Sequence, residues 1–189
     1  MRSTTVAIVS VIILTFLACN NAKNHGEDSS SDAKYQKYIS DRLNIAIEIP
    51  KNWKVEADSG NTLVSKEGCT ADAVFCSNLV IMSVDNVDSL TIDQLVSVYT
   101  QYIERKFGSF KLLAIQDVEV ANVKSKIIDY KLFENNTHLG STTVLMISGG
   151  RILSFDFSAE NKPEGGYVKH RKNFLKMLNS VELLEPKRD

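Results

Sequence analysis

Between Phe110 and Ala159 four strand-like runs follow one another with no helical period among them: "FKLLAIQDVEVAN", "VKSKIIDYKLFE", "HLGSTTVLMIS" and "RILSFDFSA". Parallel neighbours need a crossover of a dozen or more residues, so runs this closely spaced pair antiparallel. Turn candidates lie near Asn122, at Asn135-Asn136-Thr137 and at Gly149-Gly150. The glycine pair is the strongest of these, because two-residue hairpin loops need positive φ. In the last run Leu153, Phe155 and Phe157 share one face, and Ile152, Ser154, Asp156 and Ser158 take the other.

Upstream, "LNIAIEIP" sets Leu43, Ile45, Ile47 and Ile49 against Asn44, Ala46 and Glu48, a half-buried strand ended by Pro50. "NWKVEA" and "TLVSK" read as short strands joined by the turn "DSGN", and "NLVIMSV" as a central strand buried on both faces. "TIDQLVSVYTQYIERKF" carries a capping box at Thr91 and Gln94 and an apolar stripe of Leu95, Tyr99, Tyr102 and Ile103. A second helix is expected over "YVKHRKNFLKMLNSVELL", with Val168, Arg171, Phe174, Leu175, Leu178 and Val181 as a stripe interrupted only by Arg171, whose stem can lie along apolar surface. Strands in runs with two helices give an α+β class: an antiparallel β-sheet flanked by helices on both faces. The 189 residues, 43% hydrophobic, suit one domain with a sizeable core. A formal charge of -1 leaves no electrostatic footprint for nucleic acid.

The first residues have another character. "MRSTT" precedes the apolar run "VAIVSVIILTFLAC", too short for a comfortable membrane span and patterned as an export signal. "TFLAC" resembles the lipobox of bacterial lipoproteins, with Cys19 as the lipid-accepting residue; Phe16 stands where Leu is usual. An ordinary secretory signal or an uncleaved anchor is the plainer alternative. The resemblance implies residues 1–18 as signal peptide and anchoring to a membrane through lipidated Cys19. Acylation by more than one chain suffices for stable anchoring. Residues 19–34, "CNNAKNHGEDSSSDAK", have no large apolar residue and read as a flexible polar tether. Asn20, where an Asp would resemble an inner-membrane retention signal, favours the outer membrane, periplasmic or surface-facing.

Residues 35–189 read as a single domain. Ile49-Pro50-x-x-Trp53, the central helix before a long meander, and "FLKMLNSVEL" in the closing helix resemble the PsbP-like/Mog1-like superfamily over about Tyr35 to Leu184. The resemblance implies an α/β/α sandwich, no shared catalytic residue, and roles in binding or assembly. Such roles span photosystem II subunits, a Ran-GTPase-binding protein and bacterial envelope lipoproteins. No functional residue of those members is carried over. Trp53 is expected to pack the sheet against a helix.

Three cysteines occur, and if Cys19 is lipidated an even pair remains in an oxidising compartment. Cys69 and Cys76 are separated by six residues, wider than redox motifs and zinc knuckles prefer. A disulfide is the expectation, contributing about 2.5 kcal/mol by loop entropy. A reduced pair and metal or redox use stand as alternatives. His25, His138 and His170 form no ligand spacing, so no metal and no cofactor are expected. Lys169, Arg171, Lys172 and Lys176 offer contacts to an anionic partner, or are simply the wet face of a helix. The sequon at Asn135 to Thr137 is a chance match in a bacterial host. The resulting expectation is a lipid-anchored, non-enzymatic binding or assembly factor of the cell envelope, its partner another envelope protein or a small ligand. The alternatives are an envelope hydrolase using Glu48, Asp129 and Asp156, and a purely structural component.

Overall fold

The computed structural model describes residues 35–68, 75–134, 136–162 and 166–185. The strands and helices follow in the order β1 (Tyr35–Ser40), β2 (Ile45–Pro50), β3 (Trp53–Ser59), β4 (Thr62–Glu67), β5 (Asn78–Asp85), α1 (Ile92–Lys106), β6 (Lys111–Val120), β7 (Val123–Glu134), β8 (Thr137–Ser148), β9 (Arg151–Glu160), α2 (Tyr167–Asn179) and β10 (Glu182–Leu183). Seven strands form one antiparallel sheet in the order β3-β4-β5-β9-β8-β7-β6. The remaining three make a small sheet, β1-β2-β10.

The expected meander is β6 to β9, each strand paired with the next. Gly149 and Gly150 close the last hairpin at φ +57° and +74°, as a primed two-residue turn requires. The β6–β7 hairpin closes the same way on Ala121 and Asn122, at φ +49° and +61°. Alanine has no special tolerance there, so this turn is held by the two long strands it joins. β5 lies between β4 and β9 with Asn78 to Ser83 all buried, which is the two-sided burial its apolar run predicts.

Each face of the large sheet carries a helix. On one, Leu95, Val96, Tyr99 and Ile103 of α1 meet Ile128, Tyr130, Leu139, Leu145 and Ile152. On the other, Phe174, Met177 and Leu178 of α2 pack with Ile45, Ile47 and Ile49 of β2 over Leu79, Ile81, Phe155 and Phe157. Trp53 is buried in this second core. Phe157 and Phe174 stack at 5.1 Å between ring centres. Each such fully buried side chain contributes about 1.5–3 kcal/mol of apolar transfer free energy.

Two expectations are corrected. α2 stops at Asn179 instead of running to Leu184. There Ser180 Oγ donates to the Met177 carbonyl at 2.6 Å and accepts from the Glu48 amide at 2.8 Å. The next residues leave as β10 and pair with Ala46 and Ile45. Val168 is exposed (70%), because the helix turns Tyr167, Phe174, Met177 and Leu178 inward. Arg171 breaks the apolar stripe, and its head is spent on an ion pair described below.

Candidate functional site

β9 is the central strand of the large sheet, with α2 packed over one face and α1 over the other. Its row Ile152, Ser154, Asp156 and Ser158 points under α1. The Asp156 carboxylate is partly buried there and ringed by hydroxyls. Tyr99 OH donates to Oδ1 at 2.8 Å, Thr143 Oγ1 to Oδ1 at 2.6 Å, and Ser154 Oγ to Oδ2 at 2.8 Å. Tyr130 OH lies 3.1 Å from Tyr99 OH and 3.2 Å from Thr143 Oγ1, adding a fourth hydroxyl behind the first three. Burial raises the Asp156 pKa above the ordinary carboxylate value, and the three donors offset only part of that effect. Burial, then the neighbouring Asp156 charge, pushes Tyr130 up to about 12 and Tyr99 well above its usual value.

Above this floor opens a cleft of about 40 Å³, with Val80, Ile103, Phe107 and Leu132 as walls and Asn78 and Ser158 as polar points. That space holds roughly three waters, or one small polar group. Lys106 sits at the cleft with its Nζ 4.8 Å above the Phe107 ring centre, and burial lowers its pKa. The cluster can accept a proton at Asp156 or present hydroxyls to a small guest. Its side-chain donors are already aimed at one carboxylate.

The opposite face carries a second polar cluster. Asp129 of β7 accepts from Arg171 Nε at 2.9 Å and from Arg171 Nη2 at 2.7 Å, a two-pronged pair. Thr142 Oγ1 and Tyr167 OH donate to the same carboxylate at 2.7 and 2.9 Å. Burial raises the Asp129 pKa, but the hydrogen bonds from Arg171, Thr142 and Tyr167 outweigh it, and the net shift is downward. Arg171 moves the complementary way: burial lowers its pKa, the bond to Asp129 raises it, and the net is upward. The Tyr167 ring lies against Gly140, where an added Cβ would land inside the ring.

The sequence-predicted residues therefore separate. Asp129 and Asp156 are two strands apart and bond to helices on opposite faces, while Glu48 is exposed on β2. They do not meet as an acid–base pair. Arg171 is withdrawn from the anionic-partner set by Asp129, whereas Lys169, Lys172 and Lys176 remain exposed. His138 lies tilted against Phe133 at 4.7 Å between ring centres, and His170 Nδ1 approaches Glu67 Oε2 to 3.2 Å. That approach is an ion-pair distance without an aligned hydrogen bond, since His170 Nδ1 has no hydrogen-bond partner. Among the described residues no group of three or more His, Cys, Asp or Glu could hold a metal. The signal peptide, Cys19, the tether, Cys69 and Asn135 lie outside the described residues. Cys76 just precedes β5, and its carbonyl accepts from Asn78 Nδ2 at 3.2 Å. Nothing in the sequence by itself marks Tyr99, Tyr130, Thr143 and Ser154 as one site. The available signal was the polar row Ser154, Asp156, Ser158 on a strand flanked by apolar runs.

No protein-family model matches the chain, and no curated protein matches it in sequence. Its fold is similar to solved structures. The cyanobacterial PsbP protein CyanoP from Synechocystis sp. PCC 6803 superposes with a TM-score of 0.59 at 13% identity, covering 84% of this chain and 98% of that one. The Ran-binding protein Mog1p of Saccharomyces cerevisiae gives 0.57 at 8% identity, covering 82% and 97%. LpqN of Mycobacterium tuberculosis, involved in cell envelope biogenesis, gives 0.52 at 10% identity, covering 75% and 83%.

Proposed function

We propose that this chain is a lipid-anchored, non-enzymatic binding or assembly module of a bacterial cell envelope. Residues 1–18 would direct export, Cys19 would carry the lipid, and residues 19–34 would tether the domain. Asn20 favours delivery to the outer membrane. One observation carries the non-enzymatic part: the two strand carboxylates that could share acid–base work are tied into hydrogen-bond networks on opposite faces of the sheet. The hydrolase alternative needs two of Glu48, Asp129 and Asp156 on one substrate, and a single small molecule cannot reach both sides of a β-sheet. Proteins of similar fold include a Ran-binding protein and one involved in cell envelope biogenesis, which accords with binding or assembly in general terms.

The test joins two measurements on cells producing the full chain. Metabolic labelling with a clickable fatty acid should mark the protein, and Cys19→Ala should abolish the mark. Photo-crosslinking from the exposed surface in intact cells should give a discrete adduct. Labelling that survives Cys19→Ala removes the anchor from this reading. Reproducible turnover of an ester, glycoside or phosphate by the purified protein, lost in Asp156→Asn, removes the non-enzymatic part.

A further inference from the structure

α2 contains Lys169, His170, Arg171, Lys172 and Lys176 and no acidic residue. Arg171 is neutralised by Asp129. Lys169, Lys172 and Lys176 stand at i, i+3 and i+7, so they share one outward side of the helix. All three are exposed, and among the described residues none takes part in an ion pair. Val168, 70% exposed, and exposed Asn179 border the same side.

The chain from Cys19 joins the domain beside this face. Tyr35, the first residue of β1, places its OH 3.4 Å from Asn173 Oδ1, and Asn173 lies between Lys169 and Lys176 on the helix surface. Fifteen residues, or sixteen chain steps, separate a lipid on Cys19 from Tyr35. Such a segment spans at most about 55 Å extended and about 22 Å as a coil. The membrane is thus held within reach of this side of the domain at high effective concentration. Of the acids near α2, Asp129 is paired with Arg171, Glu182 with Lys37 and Glu67 faces His170, while Glu48 subtracts one charge.

We propose that the lysine face of α2 docks on anionic phospholipid headgroups of the membrane to which the chain is attached, with Val168 at the contact. This orients the domain with α2 down and leaves α1 and its cleft facing away. The inference rests on the membrane-attachment reading above, and its test is separable from that one. Each lysine near an anionic surface multiplies the docked-to-free ratio by about five, and three by about a hundred.

The full chain carrying Val168→Trp is purified from membranes and reconstituted into vesicles of pure phosphatidylcholine, or of phosphatidylcholine with phosphatidylglycerol. Trp53 is buried, so acrylamide quenching reads the introduced ring. Quenching on the anionic vesicles should fall at least about three-fold relative to the neutral ones. Replacing Lys169, Lys172 and Lys176 with Gln, or adding salt, should restore it. The corresponding Arg variant should stay protected, and Lys111→Gln, on the far edge of the sheet, should change nothing. Equal quenching on the two vesicles overturns the proposal, as does protection that survives the triple Gln variant. Mass spectrometry of the same sample reads acylation at Cys19 separately. A chain that floats with vesicles unacylated refutes the lipid anchor while its quenching still decides the docking. A chain that neither floats nor is protected refutes both.

Discussion

Asp156 and Asp129 carry the same side chain and respond to acid with opposite signs. The Asp156 pKa is raised above 3.8, so the folded state holds its proton more readily than the unfolded chain does. Its contribution is full below pH 3.8 and is lost as pH rises through the folded value. The Asp129 pKa is lowered, so its contribution is present above pH 3.8 and is lost as pH falls through its folded value. Urea unfolding across a pH series should show the wild type losing stability just above pH 3.8. Asp156→Asn should lack that loss, since an amide can still accept from Tyr99 and Thr143. Identical pH slopes for the two proteins would refute the assignment. At Gly140, alanine would push the Tyr167 ring off Phe157, which it stacks on at 6.2 Å between centres, and loosen its hydroxyl from Thr142 and Asp129. Gly140→Ala should cost about 1–3 kcal/mol by overpacking, read from the shift in the urea midpoint at unchanged slope. A variant as stable as wild type would mean that the ring has room to move.

At the scale of elements, what could be read ahead was whatever a local signal marks. α1 begins at its capping box, with Thr91 Oγ1 accepting from the Gln94 amide and Gln94 Oε1 from the Thr91 amide. The Gly149-Gly150 hairpin and the two-sided burial of β5 were equally legible. β1 was not, because "YQKYIS" is mostly polar and becomes a strand only by pairing along β2. The two residues of β10 are too few for any periodicity. The hydroxyl floor under α1 was hidden for a related reason. The alternation of β9 shows which residues share a face, but the burial of both faces comes from the helix packed on each side of the sheet. Arg171 anchors α2 to β7, and removing it would leave a partly buried Asp129 carboxylate without its counter-charge. Arg171→Ala should destabilise by about 3 kcal/mol, toward the low end for broken buried pairs, since Arg171 keeps some exposure. Arg171→Lys should recover only part, because an ammonium cannot fill both prongs. Denaturant unfolding checks both, and an alanine variant within about 0.5 kcal/mol of wild type, the range of ordinary surface changes, would remove the anchor role.

Across the whole molecule, the proposed lipidation of Cys19 and pairing of Cys69 with Cys76 together predict a mature protein without a reactive thiol. Titration of the denatured, non-reduced protein should find none, and reduction should lower stability by about 2.5 kcal/mol. Two reactive thiols would overturn the pairing. The small sheet has a consequence of a different kind. β2 is flanked on one side by β1, from the start of the domain, and on the other by β10, from its last described strand. The Leu184 amide closes the seam on the Asn44 carbonyl at 2.8 Å. Because β2 also carries Ile45, Ile47 and Ile49 into the core under α2, its second edge stays bare until those last residues arrive. A chain stopped after Val181 should therefore exchange its β2 amides faster than the whole domain does.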